Sequence, residues 1–352
     1  MVLFALMFVS LALGAPINVA HSSGSMSHSF DYIVTILMEN HGLSDIIGNP
    51  SAPFMNTLAS TWSLATNYTA VNHPSLPNYL ALVSGQQFAS WSQTDCNPGP
   101  SCTAGNATNI VDRLDARDLT WKAYMEGYPS SCGTQCSPGN CFLGDTGATQ
   151  YAARHNPFVY FGDIVNSTER CSRIVPANST LNGADDLFLS DLESTYSSSN
   201  FMWLTPNLCN DMHDCPISTG DTYLSQLVPK ILDSELFTDH KAALFIAFDE
   251  GNTAYPKDYV YALWAGSVAK TGFSSSNQYT HYSFLRTVEA NWHLRPLTSN
   301  DKAASTMKAF FNHPSDHDHH EHEMRYSKDS ESHHLDHSGE SSDDSHHNDA
   351  RD

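Results

Sequence analysis

Three short apolar runs, each breaking off into a polar cluster, constrain this chain more than anything else in it. Residues 32–37 lead into Met38, Glu39, Asn40 and His41. Residues 201–204 lead into Pro206 and Asn207, then Asn210, Asp211, Met212, His213 and Asp214. Residues 242–248 lead into Asp249, Glu250 and Gly251. Short, continuous apolar runs bounded by turn residues read as strands buried on both faces, hence as a mostly parallel sheet in an α/β fold. In such sheets functional groups gather beyond the carboxyl ends of the strands. Glu39, Asp211, His213, Asp249 and Glu250 are therefore expected on one rim. A single carboxylate after a strand is more often a cap or turn former. Three strands ending the same way favour a site.

A second feature points to the same rim. In Val71, Asn72, His73, Pro74, Ser75, Leu76, Pro77, Asn78 and Tyr79, a serine stands where a loop gives way to an apolar helix at 79–83. Pro77 suits a first helical turn, where its missing N–H has no partner to lose. Free N–H groups and the helix dipole at such an end attract phosphate. A serine oxygen held there is placed to attack phosphorus. A plain proline-rich turn is the bland alternative, and the three strand ends weigh against it.

Together these clusters resemble the phosphoesterase family of secreted acid phosphatases and bacterial phospholipases C, in particular its short secreted acid phosphatases. The resemblance runs from about Asp31 to Pro296, with its motifs in order. It includes Tyr151, Arg154, His155, Asn156, Pro157 and Phe158, and later His281, Tyr282, Ser283, Phe284 and Leu285. It implies an alkaline phosphatase-like three-layer sandwich, a mostly parallel central sheet with helices on both faces. It also implies roles. Ser75 matches the nucleophile and Asn78 a residue that orients a phosphoryl oxygen. Glu39 and Asn40 match first-strand ligands, and Asp249 and Glu250 the late acidic pair that holds a metal. Asp211 and His213 match the middle motif, with Asn207 just ahead of it, and His281 a late histidine. His41 and His73 read as structural.

These implied ligands are mostly oxygens, which favours a hard divalent cation, calcium or magnesium, over the two zincs of alkaline phosphatases. The expected reaction is hydrolysis of a phosphate monoester, or of a phosphoinositide, through a phosphoseryl intermediate. His213 or His155 would protonate the leaving alcohol, which suits acid pH, where an unperturbed histidine is cationic. Two rivals stand beside this reading. One is a phospholipase C-like phosphodiesterase using the same site. The other is a catalytically silent secreted protein that binds a metal or a glycan.

The rest of the chain reads as a secreted protein. Residues 1–20 carry a short apolar stretch followed by small residues, as in a signal peptide, and no run is long enough for a transmembrane anchor. Eight cysteines, an even number, suggest disulfides rather than a zinc site. Proximity pairs Cys96 with Cys102, Cys132 with Cys141, and Cys209 with Cys215. The last pair brackets Asp211 and His213. Acceptor sequons at Asn67, Asn106, Asn166 and Asn178 agree with export. Residues 31–311 read as one catalytic domain. Residues 313–352 hold ten of the nineteen histidines and carry a net charge of −9 out of −21, with few apolar residues, and are expected to be disordered. Such acidity argues against nucleic acid as a partner.

Overall fold

The computed structural model describes residues 28–131, 136–177, 187–252 and 257–312. The expectations for 1–20 and 313–352, and those for Cys132 and Asn178, lie outside these residues. Ten strands form among the described residues: β1 (Tyr32–Met38), β2 (Ser63–Ala65), β3 (Tyr68–Thr69), β4 (Trp121–Met125), β5 (Ile174–Pro176), β6 (Phe201–Thr205), β7 (Ala242–Phe248), β8 (Ala262–Ala265), β9 (Phe273–Ser275) and β10 (Tyr279–Thr280). Eight of them make one sheet in the order β5-β4-β6-β1-β7-β8-β2-β9, while β3 and β10 pair apart. The strands from β5 to β7 are mutually parallel, and β8 runs against both of its neighbours. The three apolar runs are thus the adjacent central strands β6, β1 and β7.

Every residue of β7 is fully buried. Because side chains alternate along a strand, both faces of the sheet must be covered. Register settles what covers one face. Thr35 of β1 lies level with Trp203 of β6 and Phe245 of β7, so their side chains share a side. Tyr79, from the helix Ser75–Ser84, meets Trp203, and Phe284, from the helix His281–Asn291, stacks on Phe245 with ring centroids 4.6 Å apart. Each such buried aromatic contributes roughly 1.5–3 kcal/mol. A second helix pair, Pro53–Thr61 and Ile217–Leu232, is tied by the Asp221 carboxylate, which accepts from the Phe54 and Met55 N–H groups at the first helix's start.

The helix Ser75–Ser84 is buried at all ten positions. Pro74 precedes it without a side-chain cap, and Asp95, twenty residues on, accepts the Leu76 N–H at 3.0 Å instead. Gly85 ends it in the left-handed region, at φ 70°. A Cβ there would fall 2.2 Å from an Asp301 carboxylate oxygen, so only glycine fits. Both ends of this helix are therefore held by distant carboxylates.

The disulfides correct one expectation. Cys96–Cys102 and Cys209–Cys215 form as proximity suggested, but Cys141 pairs with Cys171 rather than with Cys132. The reason is packing. The Ser137 hydroxyl and the Gly139 N–H both bond the Val165 carbonyl, which lays the loop carrying Cys141 against the segment carrying Cys171. Cys136 is also disulfide-bonded, so it and Cys141 are not zinc ligands.

Candidate active site

The central strands end level. Met38 pairs with Phe248, so Glu39 and Asp249 leave the sheet side by side. Asp249 N–H donates to the Met38 carbonyl, Asn40 N–H to the Asp249 carboxylate, and Glu39 N–H to the Asp211 carbonyl. Asn40 takes a left-handed backbone, φ 63°, at the turn off β1. The Cys209–Cys215 bridge closes the loop after β6 around Asp211 and His213. The three strand ends thus meet at one point, as their sequence pattern implied.

Ser75 is the first residue of its helix, and its hydroxyl lies 3.1 Å from Glu39 Oε2. It also hydrogen-bonds Asp249. The Tyr79 hydroxyl, one turn on, donates to Glu39 Oε1 at 2.6 Å. The His155 ring stacks on Tyr79, 5.2 Å between centroids and 6° from parallel. That places His155 Nε2 at 3.2 Å from Glu39 Oε1 and Nδ1 at 3.4 Å from Asp211 Oδ2. His213 completes this side: its Nδ1 meets Asp214, its Nε2 meets Arg154 at 3.2 Å, and its own N–H donates to Asp211.

Charge at this point is poorly compensated. Glu39, Asp211 and Asp249 are fully buried and Glu250 nearly so. Burial, reinforced by repulsion from Asp249 and Asp211, holds the Glu39 carboxyl well above the usual carboxylate range. Burial likewise raises Asp211, takes Asp249 to about 7, and, with Asp249 beside it, takes Glu250 to about 10. His155 is pushed well below its ordinary value by burial and by the nearby Arg154 and His213 charges. Asp249 Oδ2, Asp211 Oδ2 and both His155 nitrogens are buried without an aligned hydrogen bond. Unpartnered lone pairs on crowded carboxylates fit a bound cation. Glu39, His155 and His213 bring ligand atoms within 4.8 Å of one another. Two imidazoles in that group widen the choice beyond the hard cations that an oxygen-only set favours.

Some residues expected at the site do other work. Asn78 is fully buried, its amide nitrogen bonding the Asn72 and Pro74 carbonyls and Glu250, its oxygen the Val71 and Asn72 N–H groups. It shapes the loop ahead of Ser75, and its polar atoms are spent there rather than presented to a phosphoryl oxygen. Asn207 makes a turn, accepting the Cys209 and Asn210 N–H groups. His281, between the Tyr68 hydroxyl and the Asp249 carbonyl, steadies Asp249 from behind, and burial lowers its pKa to about 4.

Other residues went unseen in the sequence. His73, read as structural, straps Glu250 to Asp258, with one ring nitrogen 3.0 Å from each. Asp95 caps the serine helix, and Tyr79 and Arg154 flank the histidines. The only sequence signal for Arg154 and Tyr79 was their place inside longer motifs; Asp95 and Asp258 had none.

Comparison with known proteins places the chain by family and by fold. The sequence profile of the Phosphoesterase family matches residues 46–295. A probable acid phosphatase of Kluyveromyces lactis is 31% identical over 81% of this chain and 63% of its own length. A phosphate-repressible acid phosphatase of Penicillium chrysogenum is 31% identical over 80% and 63%. A phosphatidylinositol-3-phosphatase of Mycobacterium tuberculosis is 26% identical over 74% and 76%. The chain thus spans a little over 60% of the length of those two fungal relatives. Among solved structures, an alkaline phosphatase superfamily protein of Vibrio parahaemolyticus superposes with a TM-score of 0.53 at 12% identity, over 79% of this chain and 71% of that one. Murine ectonucleotide pyrophosphatase/phosphodiesterase 5 gives 0.51 at 10%, over 76% and 96%. At such identities the likeness is one of fold.

Proposed function

We infer that this chain, which belongs to the phosphoesterase family, is a phosphoric ester hydrolase that cleaves phosphate monoesters through a phosphoserine at Ser75. The observation that carries this reading is the Ser75 hydroxyl, at a helix N-terminus and in hydrogen-bond contact with the buried Glu39 and Asp249 carboxyls. The acid phosphatase names of the fungal relatives support the monoester over the diester. The name of the mycobacterial relative adds phosphoinositides to the candidate substrates.

The chemistry follows from these positions. Ser75 Oγ attacks phosphorus and its proton passes to Glu39 or Asp249, both within hydrogen-bond reach; a bound cation would hold the receiving carboxyl ionised against the burial that raises it. The Leu76 N–H is taken by Asp95 and Pro77 has none, so the helix end acts on the phosphoryl oxygens through its dipole and the Ser75 position. His213, a quarter exposed, delivers a proton to the leaving alcohol. Water then cleaves the phosphoserine, with net retention at phosphorus. A divalent cation would be held by Glu39, Asn40, Asp249 and Glu250, or by Glu39 with His155 and His213, the second set leaving His213 unable to serve as the acid, and it would supply positive charge to offset that of the phosphate. We place the protein in the secretory pathway or outside the cell. The disulfides support this, and no helix among the described residues is long and apolar enough to cross a membrane.

The test is hydrolysis of a chromogenic phosphate monoester against the matching diester, from about pH 4 to about pH 9, with and without chelator. Monoester turnover that is strongest at acid pH and falls at least about tenfold on chelation is expected. Preference for the diester would move the assignment to a phospholipase C-like activity, and unchanged activity after chelation would remove the cation.

A further inference from the structure

Four buried carboxylates are a poor place to receive a phosphate dianion. Around them the positive charge comes from histidines and from one arginine. Arg154 lies on the 3-10 turn Ala153–His155, next to the histidine that stacks on Tyr79. Among the described residues its guanidinium has a single hydrogen-bond partner, His213 Nε2 at 3.2 Å, and no carboxylate within ion-pair distance. Its charge is felt at Asp95, the residue that accepts the Leu76 N–H beside Ser75. Arg154 thus stands beside the serine: its partner His213 has a ring nitrogen within 4.8 Å of a Glu39 oxygen, and Glu39 is 3.1 Å from the Ser75 hydroxyl.

We propose that Arg154 is the phosphate-holding residue of this site, and that its guanidinium sets the preference for monoesters over diesters. This rests on the phosphatase reading above. A guanidinium fork matches two oxygens of one phosphate. A monoester offers it three non-bridging oxygens and, above a second ionisation at about pH 6, a double charge; a diester offers two oxygens and a single charge at any pH.

The experiment uses the protein as purified, with Arg154→Gln and Arg154→Lys. It measures kcat and KM for the monoester and the diester, inhibition by inorganic phosphate, and thermal stability. Arg154→Gln is expected to raise the monoester KM and the phosphate inhibition constant at least about tenfold, the scale of a lost charge-assisted hydrogen bond. The diester KM should stay within about twofold, and Arg154→Lys should recover part of the phosphate affinity. Equal losses on both esters, or a lower melting temperature with phosphate affinity unchanged, would assign Arg154 a structural role and overturn the proposal. If Arg154→Gln does not fold, a folded Arg154→Lys variant with wild-type phosphate affinity and ester preference overturns it too. Should the wild type hydrolyse neither ester, the phosphatase reading fails by itself. Calorimetric binding of inorganic phosphate to wild type and Arg154→Gln then decides on Arg154: equal affinities overturn the proposal, and a tenfold loss supports it.

Discussion

Ser75→Ala is expected to lower kcat by a factor on the order of a thousand or more while the protein folds normally, because the variant loses the nucleophile and nothing beside it can take its place. The neighbouring side chains that touch Ser75 Oγ are carboxyls, better suited to accept its proton than to attack a phosphate they repel. Folding should survive. Ser75 opens its helix without capping it, since that task falls to Asp95 through the Leu76 N–H. Alanine is also the best helix former at the vacated position. The change is readable in two ways. Steady-state turnover of the monoester should collapse with KM little altered. Acid quench of the wild type during turnover should trap phosphate on the peptide containing Ser75, and none on the variant. Normal turnover by Ser75→Ala would remove the covalent mechanism at Ser75, and phosphate found on a histidine after an alkaline quench, which spares the acid-labile phosphohistidine, would move the nucleophile to His155 or His213.

What the sequence made legible, and what it did not, follows from the range of the forces involved. The strands β1, β6 and β7 could be read because a strand buried on both faces needs an unbroken apolar run, and each of these has one. Strand ends then located Glu39, Asp211 and Asp249 without knowledge of the fold. The short strands β2, β9 and β10 could not be read. Two or three residues rich in serine and threonine carry no period, and these strands form because their neighbours offer partners. The same limit hid Asp95, which reaches Leu76 only once the intervening loop is folded. It hid Cys141–Cys171, whose partners are brought together by bonds to the Val165 carbonyl. Asn78 was placed at the reacting phosphate by its motif, yet its five bonds to the surrounding loop and to Glu250 are invisible until the loop exists. Sequence located the chemistry that strand ends carry. Long-range packing decided which neighbours aim it.

The other large effect lies at the opposite end of the serine helix and concerns pH. Glu289 and Asp301 are both fully buried and hydrogen-bonded to each other. Burial, with Asp301 alongside, raises the Glu289 carboxyl from 4.5 to about 8. The pair accepts the Leu297 N–H from both sides, and Asp301 also holds Thr298. Thr298 and Asn300 in turn donate to the Gly85 carbonyl, where the serine helix ends. The direction of the effect is fixed by which state binds the proton more tightly. Between the unfolded value near 4.5 and the folded value near 8, the folded protein keeps a proton that the unfolded chain has released. Stability is therefore full below the lower value and declines as pH rises through the higher one. At ~1.4 kcal/mol per unit, the decline is at most about 5 kcal/mol, the attraction of Arg286 being already contained in the folded value. For a chain of this size that is a fall of at most roughly 10 °C in melting temperature from acid to mildly alkaline pH. Glu289→Gln keeps an acceptor for Leu297 and a donor for Asp301 without a proton to lose. The variant should lose less melting temperature across that range than the wild type, the raised carboxyls of the active site keeping their own share of the slope, and exceed the wild type at the alkaline end. A melting curve as steep in pH for Glu289→Gln as for the wild type would show that the shared proton is not what ties this helix to acid conditions.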